Sequence, residues 1–122
     1  MSYTAAVLSA HSHNRLLQEF ENDIPEGWTR IAHHMTINMG DPSKGPAADL
    51  VGNEVKMKVV GFGENNKVMA VEVESDCPST NKIKHVTIAV NYANGGKPFQ
   101  SNQLEFHKTN SFELEGVVQE CP

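Results

Sequence analysis

Three observations predict an α+β fold with a largely antiparallel sheet and one main helix. About six segments alternate apolar and polar residues as strands do, a single segment repeats its apolar residues at helical spacing, and hairpin-like intervals join several of the strands. In chain order, YTAAVLS (3–9) is a short apolar run of strand character. SHNRLLQEFEND follows, with Leu16, Leu17, Phe20 and Ile24 near helical spacing and Ser12 as the expected N-cap. DIPEGW turns the chain into RIAHHMTINMG (30–40), a strand headed by two adjacent histidines. Beyond the Gly/Pro loop GDPSKGPAADLVG (40–52), Val55, Met57 and Val59, then Met69, Val71 and Val73, alternate with polar residues, which predicts a hairpin turning through GFGENN. A lone G-x-G between two strands is turn chemistry rather than a phosphate loop. The loop SDCPSTNK leads to a second histidine-headed strand, KHVTIAVNY (84–92), then to the Gly-rich turn ANGGKPFQSN and a closing strand, SFELEGVVQE (111–120).

The chain has 122 residues and reads as one domain, 1–122, large enough to bury a core without disulfides or metals. Cys77 and Cys121 lack C-x-x-C spacing, so neither a zinc site nor a disulfide framework is expected. The first residues carry no basic leader, and their apolar stretch is too short for a span, so a cytoplasmic protein with no membrane partner is expected. The formal net charge is −5, and no Lys/Arg stripe is present. Because phosphate neutralisation supplies most non-specific affinity, no extended nucleic-acid surface is expected, and a nucleotide ligand should be small or a chain end.

Strand alternation puts His34, Thr36 and Asn38 on one face, and His33, Met35, Ile37 and Met39 on the other. In the second strand His85, Thr87 and Asn91 share a face opposite Val86, Ile88 and Val90. One histidine in a strand is ordinarily a hydrogen-bonded structural residue. The same word, H-x-T-aliphatic, twice in one register argues for chemistry instead. His33 is expected to pack under its strand or bond a carbonyl, and His11, His13 and His107 to lie at the surface.

With His34-Met35-Thr36-Ile37 and His85-Val86-Thr87-Ile88, and with the longer words HHMTINMG and HVTIAVNYANGGKP, the sequence resembles the two-histidine (2H) phosphoesterase superfamily, most closely its small RNA-repair branch. The superfamily includes RNA 2′,3′-cyclic phosphodiesterases, the cyclic-phosphodiesterase parts of tRNA ligases, and enzymes that open cyclic or 2′-5′ oligonucleotides. The resemblance implies a central groove, here in a reduced architecture because the motifs are close together and the chain is short. It also implies hydrolysis of a 2′,3′-cyclic phosphate, at an RNA 3′ end or on a small cyclic nucleotide, with no metal and no cofactor. His34 and His85 would be the general acid and base, in an order that the sequence leaves open. Thr36 and Thr87 would donate hydrogen bonds to the non-bridging oxygens. Candidate substrate contacts are Lys97 to phosphate, Tyr92 or Phe99 stacked on a base, and Asn91, Ser101 and Asn102. Two rival readings are a nucleotide-binding module without turnover and a zinc hydrolase, the latter lacking a third ligand at suitable spacing.

Overall fold

Alternating strands in this chain do not stop at an open sheet. The computed structural model describes residues 2–122. Within them lie β1 (Tyr3–Leu8), α1 (Ala10–Glu19), β2 (Thr29–Arg30), β3 (His34–Met39), β4 (Glu54–Glu64), β5 (Val68–Glu74), β6 (His85–Val90) and β7 (His107–Cys121), with short 3₁₀ turns between them. The order β6-β3-β1-β7-β4-β5 is antiparallel throughout, and β5 pairs back onto β6, so six strands close on themselves while β2 adds to β6. The expected α+β class is therefore corrected to a closed six-stranded antiparallel β-barrel with one extra strand and a single main helix. The reason is physical: closure pairs the edges that an open sheet would leave free.

The apolar faces fill the inside. Met35, Ile37, Met57, Val59, Met69, Val71, Val86, Ile88 and Leu114 are buried in one cluster, to which α1 adds Leu16. Ser9, not Ser12, caps α1 by accepting from the Ser12 N–H at 3.1 Å. Ser12 instead turns inward, where its hydroxyl accepts from the Glu115 N–H at 2.8 Å and ties the helix to β7. No helix among the described residues is long and apolar enough to cross a membrane.

Both histidine-headed strands carry a β-bulge at the same place in their motif. Thr4 faces Asn38 but Ala5 faces Thr36, so Ile37 is an extra residue in β3. Met69 faces Ala89 but Ala70 faces Thr87, so Ile88 is extra in β6. A bulge resets the alternation of side chains beyond it. This corrects two expected faces: Asn38 is buried, its amide donating to the carbonyls of Met39 and Asp41, and Met39 turns outward at 67 % exposure. Asn91 falls beyond β6 and donates to the Asn66 carbonyl.

GFG is not the hairpin turn. Gly61 and Gly63 lie inside β4, and the chain reverses at Asn65–Lys67, where the Asn65 side chain accepts from the backbone N–H groups of Lys67 and Val68. Glycine is required because the 105–106 segment crosses there: a Cβ on Gly63 would stand 2.6 Å from the Glu105 carbonyl oxygen and 3.1 Å from the Phe106 ring. Backbone cannot retreat as a flexible side chain can. Gly63→Ala should therefore cost about 1–3 kcal/mol, seen as a lower urea midpoint with an unchanged slope.

Candidate active site

β3 and β6 meet at a single bridge, Met35 opposite Val86. One step outward in each direction, antiparallel pairing sets His34 against Thr87 and Thr36 against His85. Each motif thus brings its histidine to the other motif's threonine. Farther along, β6 no longer pairs with β3, because the 75–84 loop occupies that edge. The Ser79 hydroxyl donates to the Thr36 carbonyl at 2.8 Å, and the Thr80 N–H donates to the Ile37 carbonyl at 2.7 Å.

On the other side the extra strand sets the histidines. Thr29 and Arg30 face Val90 and Ala89, and the Ala32 N–H donates to the Thr87 carbonyl at 3.0 Å, yet Met35 already faces Val86. The chain therefore inserts two more residues than its partner between Ala32 and Met35. Ala32 absorbs the change at φ +44°, a left-handed conformation costing an L-residue about 1–2 kcal/mol. Its carbonyl accepts from His13 Nδ1 at 2.9 Å, which gives that histidine a tethering contact rather than a free surface position.

Around the pair lies a cavity of about 440 Å³, a size suited to a small ligand. His34, Thr36, His85 and Thr87 all line it, with Tyr3, Ile31, Met39 and Phe99 as apolar walls and Thr80, Asn81 and Asn102 as polar ones. No lysine, arginine or carboxylate is among the lining residues. A second, more open groove of about 560 Å³ runs past Glu64, Glu105, His107 and Lys108, and it holds neither motif.

The sequence candidates divide accordingly. Phe99 and Asn102 line the cavity, whereas Tyr92, Lys97 and Asn91 stand outside its lining. Lys97 heads the 3₁₀ segment Pro98–Gln103, its N–H donating to the Gln100 side chain. Ser101 is fully buried behind Thr87, the two hydroxyl oxygens 2.8 Å apart. It touches the cavity only through that threonine.

His33 departs furthest from expectation. It is exposed rather than under its strand, and its Nδ1 lies 2.9 Å from Nδ1 of His34, with the rings edge to face. The adjacent pair of histidines was the available signal. Tyr3, Ile31, Met39, Thr80 and Asn81 were missed because barrel closure, the bulge and the loop crossing bring them in. The polar run PSTN just ahead of the second motif was the one local hint.

Both motif rings are pushed toward the neutral form. Burial, then the charges of His33 and His85, pushes His34 down to about 4. Burial also lowers His85, opposed by the Ile83 carbonyl, which accepts from its Nδ1 at 2.9 Å. A carbonyl only accepts, so Nδ1 of His85 carries hydrogen and Nε2 of the neutral ring is a free base. Among the described residues, no three His, Cys, Asp or Glu side chains gather as metal ligands.

A family model described as the fungal tRNA ligase phosphodiesterase domain matches residues 10–119. No curated protein and no solved structure matches the chain.

The lowered rings make stability depend on pH with a defined sign. In the unfolded chain both charge near the ordinary 6.5, so between that value and about 4 the unfolded state binds more protons than the native one. Their neutral burial is fully compatible with folding above about 6.5, and stability is lost as pH falls toward 4. The melting temperature should drop from pH 7 to pH 5, and His34→Gln should flatten that slope. An unchanged slope in the variant would count against the burial argument.

Proposed function

We propose, because this chain belongs to the family of fungal tRNA ligase phosphodiesterase domains and so to the 2H phosphoesterases, that it hydrolyses a 2′,3′-cyclic phosphate at an RNA 3′ end or on a small nucleotide. The observation that carries this reading is the single cavity lined by His34, Thr36, His85 and Thr87. Opening the ring requires one group to take a proton from water and another to give one to the departing ribose oxygen, and two imidazoles facing one phosphate meet both needs. Thr36 and Thr87 donate to the non-bridging oxygens as charge builds there. If the Ser101 hydroxyl donates to Thr87, the Thr87 proton is free for the phosphate. The nucleobase rests against Phe99, Met39 and Tyr3, with Asn81 and Asn102 at its polar edge.

The test is a chromatographic assay over nucleoside 2′,3′-cyclic phosphates, cyclic oligonucleotides and 2′-5′ linkages, with EDTA present throughout. Ring-opened monophosphate from the 2′,3′-cyclic compounds is expected. Binding without product would favour a nucleotide-binding module instead. His34→Ala and His85→Ala should each slow turnover on the order of a hundredfold or more, and Thr36→Ala or Thr87→Ala by less.

With no cationic side chain lining the cavity, affinity should come from one phosphate and one or two bases rather than from counterion release. A short cyclic-phosphate-ended oligomer and a long RNA with the same end should therefore bind alike across a salt series. The log-log slope expected is that of about one or two phosphate contacts.

A further inference from the structure

Two rings that both offered a bare Nε2 would supply two bases and no acid. The geometry separates them. His85 Nδ1 is held by a carbonyl, which can only accept, whereas His34 Nδ1 is held by another imidazole, which can donate. That partner, His33, is exposed, makes no other side-chain hydrogen bond among the described residues, and belongs to the two-residue insertion before Met35.

We infer that His33 is a positioning residue that donates its Nδ1 proton to His34, fixing His34 with its hydrogen on Nε2 and so assigning it the acid role and His85 the base role. The inference rests on the phosphodiesterase reading for its catalytic consequence and on the structure alone for the tautomer. The direction of donation follows from where charge can sit. The exposed ring of His33 is solvated by water when it is an imidazolium, and in that form it must be the donor. The His34 ring sits between His33, His85 from β6 and Tyr3 from β1, whose ring centroid is 5.0 Å away, and no carboxylate lines the cavity. With His34 held at about 4 by burial and by the charges of His33 and His85, its imidazolium would be present in about one molecule in a thousand at pH 7. A neutral His34 that regains a proton on Nδ1 as it gives up the one on Nε2 avoids that limit.

The step balances. Water gives a proton to Nε2 of His85 as its oxygen bonds to phosphorus. The phosphorus–ribose oxygen bond breaks, and that oxygen takes the Nε2 proton of His34. Nδ1 of His34 then takes the proton of the His33 imidazolium, so His34 is neutral before and after. Once product leaves, water returns the proton from His85 to Nε2 of His34, and the Nδ1 proton moves back to His33.

Two measurements test it. Long-range proton–nitrogen correlation on the ¹⁵N-labelled chain should show His34 with hydrogen on Nε2 and His85 with hydrogen on Nδ1. His33→Ala should turn His34 into a mixture of tautomers, and His33→Gln, whose side-chain amide can donate, should restore the single form. Hydrogen on Nδ1 of His34 in the unaltered chain would overturn the inference without any substrate. In the second, a nucleoside 2′,3′-cyclic phosphate is compared with a nucleotide 4-nitrophenyl ester, whose leaving group needs no proton. His33→Ala should lower kcat on the cyclic phosphate about tenfold at unchanged KM, with a loss several-fold smaller on the aryl ester. Equal loss on both, or none on either, would overturn the relay. An unaltered chain that turns over neither compound would overturn the phosphodiesterase reading, while the tautomer measurement still decides the role of His33 at His34.

Discussion

Everything in this molecule depends on one bridge, between Met35 and Val86. Without it β3 and β6 would be the two edges of an open six-stranded sheet, far apart at its ends. With it the sheet becomes a ring, and the two histidine-threonine words lie beside each other on its outer face. The inward side chains of that bridge are themselves fully buried. The same residues that complete the core therefore align the cavity, and packing and chemistry cannot be varied independently there.

What closure brings together, two loops keep apart. The 75–84 loop takes the carbonyls of Thr36 and Ile37 that a longer β3–β6 ladder would have used, and the Pro98–Gln103 turn backs Thr87 with Ser101. A full ladder would bury the motif faces against continuous sheet. Replacing it with loops leaves backbone groups satisfied and space above them, as a binding cavity in a barrel requires. The cavity has imidazole, hydroxyl and amide groups in its lining and no lysine, arginine or carboxylate.

Local pattern was legible in the sequence where it reflects one strand's own alternation. The two H-x-T words, the β4–β5 hairpin and the single helix could be read because apolar periodicity is a property of each segment alone. The barrel was not legible, because which strand pairs with which is decided by side chains far apart in the chain, and α+β composition is compatible with either topology. The bulges at Ile37 and Ile88 defeated strict alternation, moving Asn38 inward and Met39 outward. GFG was read as a turn because close approach by Glu105 and Phe106 leaves no trace in neighbouring sequence. His33 was expected under its strand, or on a carbonyl, from alternation with Met35, Ile37 and Met39, and that count fails because His33 lies in the two-residue insertion that follows the left-handed Ala32.

The matched bulges have a consequence for the ligand. An antiparallel bridge carries a local two-fold axis, and here it passes between Met35 and Val86, exchanging His34 with His85 and Thr36 with Thr87. Each motif then ends in a bulge at the same aliphatic residue, so the likeness extends past the site on both sides. The two non-bridging oxygens of a phosphodiester are related by an axis of the same kind. A phosphate centred on the protein's axis would meet equivalent donors from either direction, and the inner cradle could not tell one ester oxygen from the other. Discrimination between them has to come from groups that the axis does not repeat: the apolar walls contributed by Tyr3, Ile31, Met39 and Phe99, and the differing Nδ1 partners of the two rings.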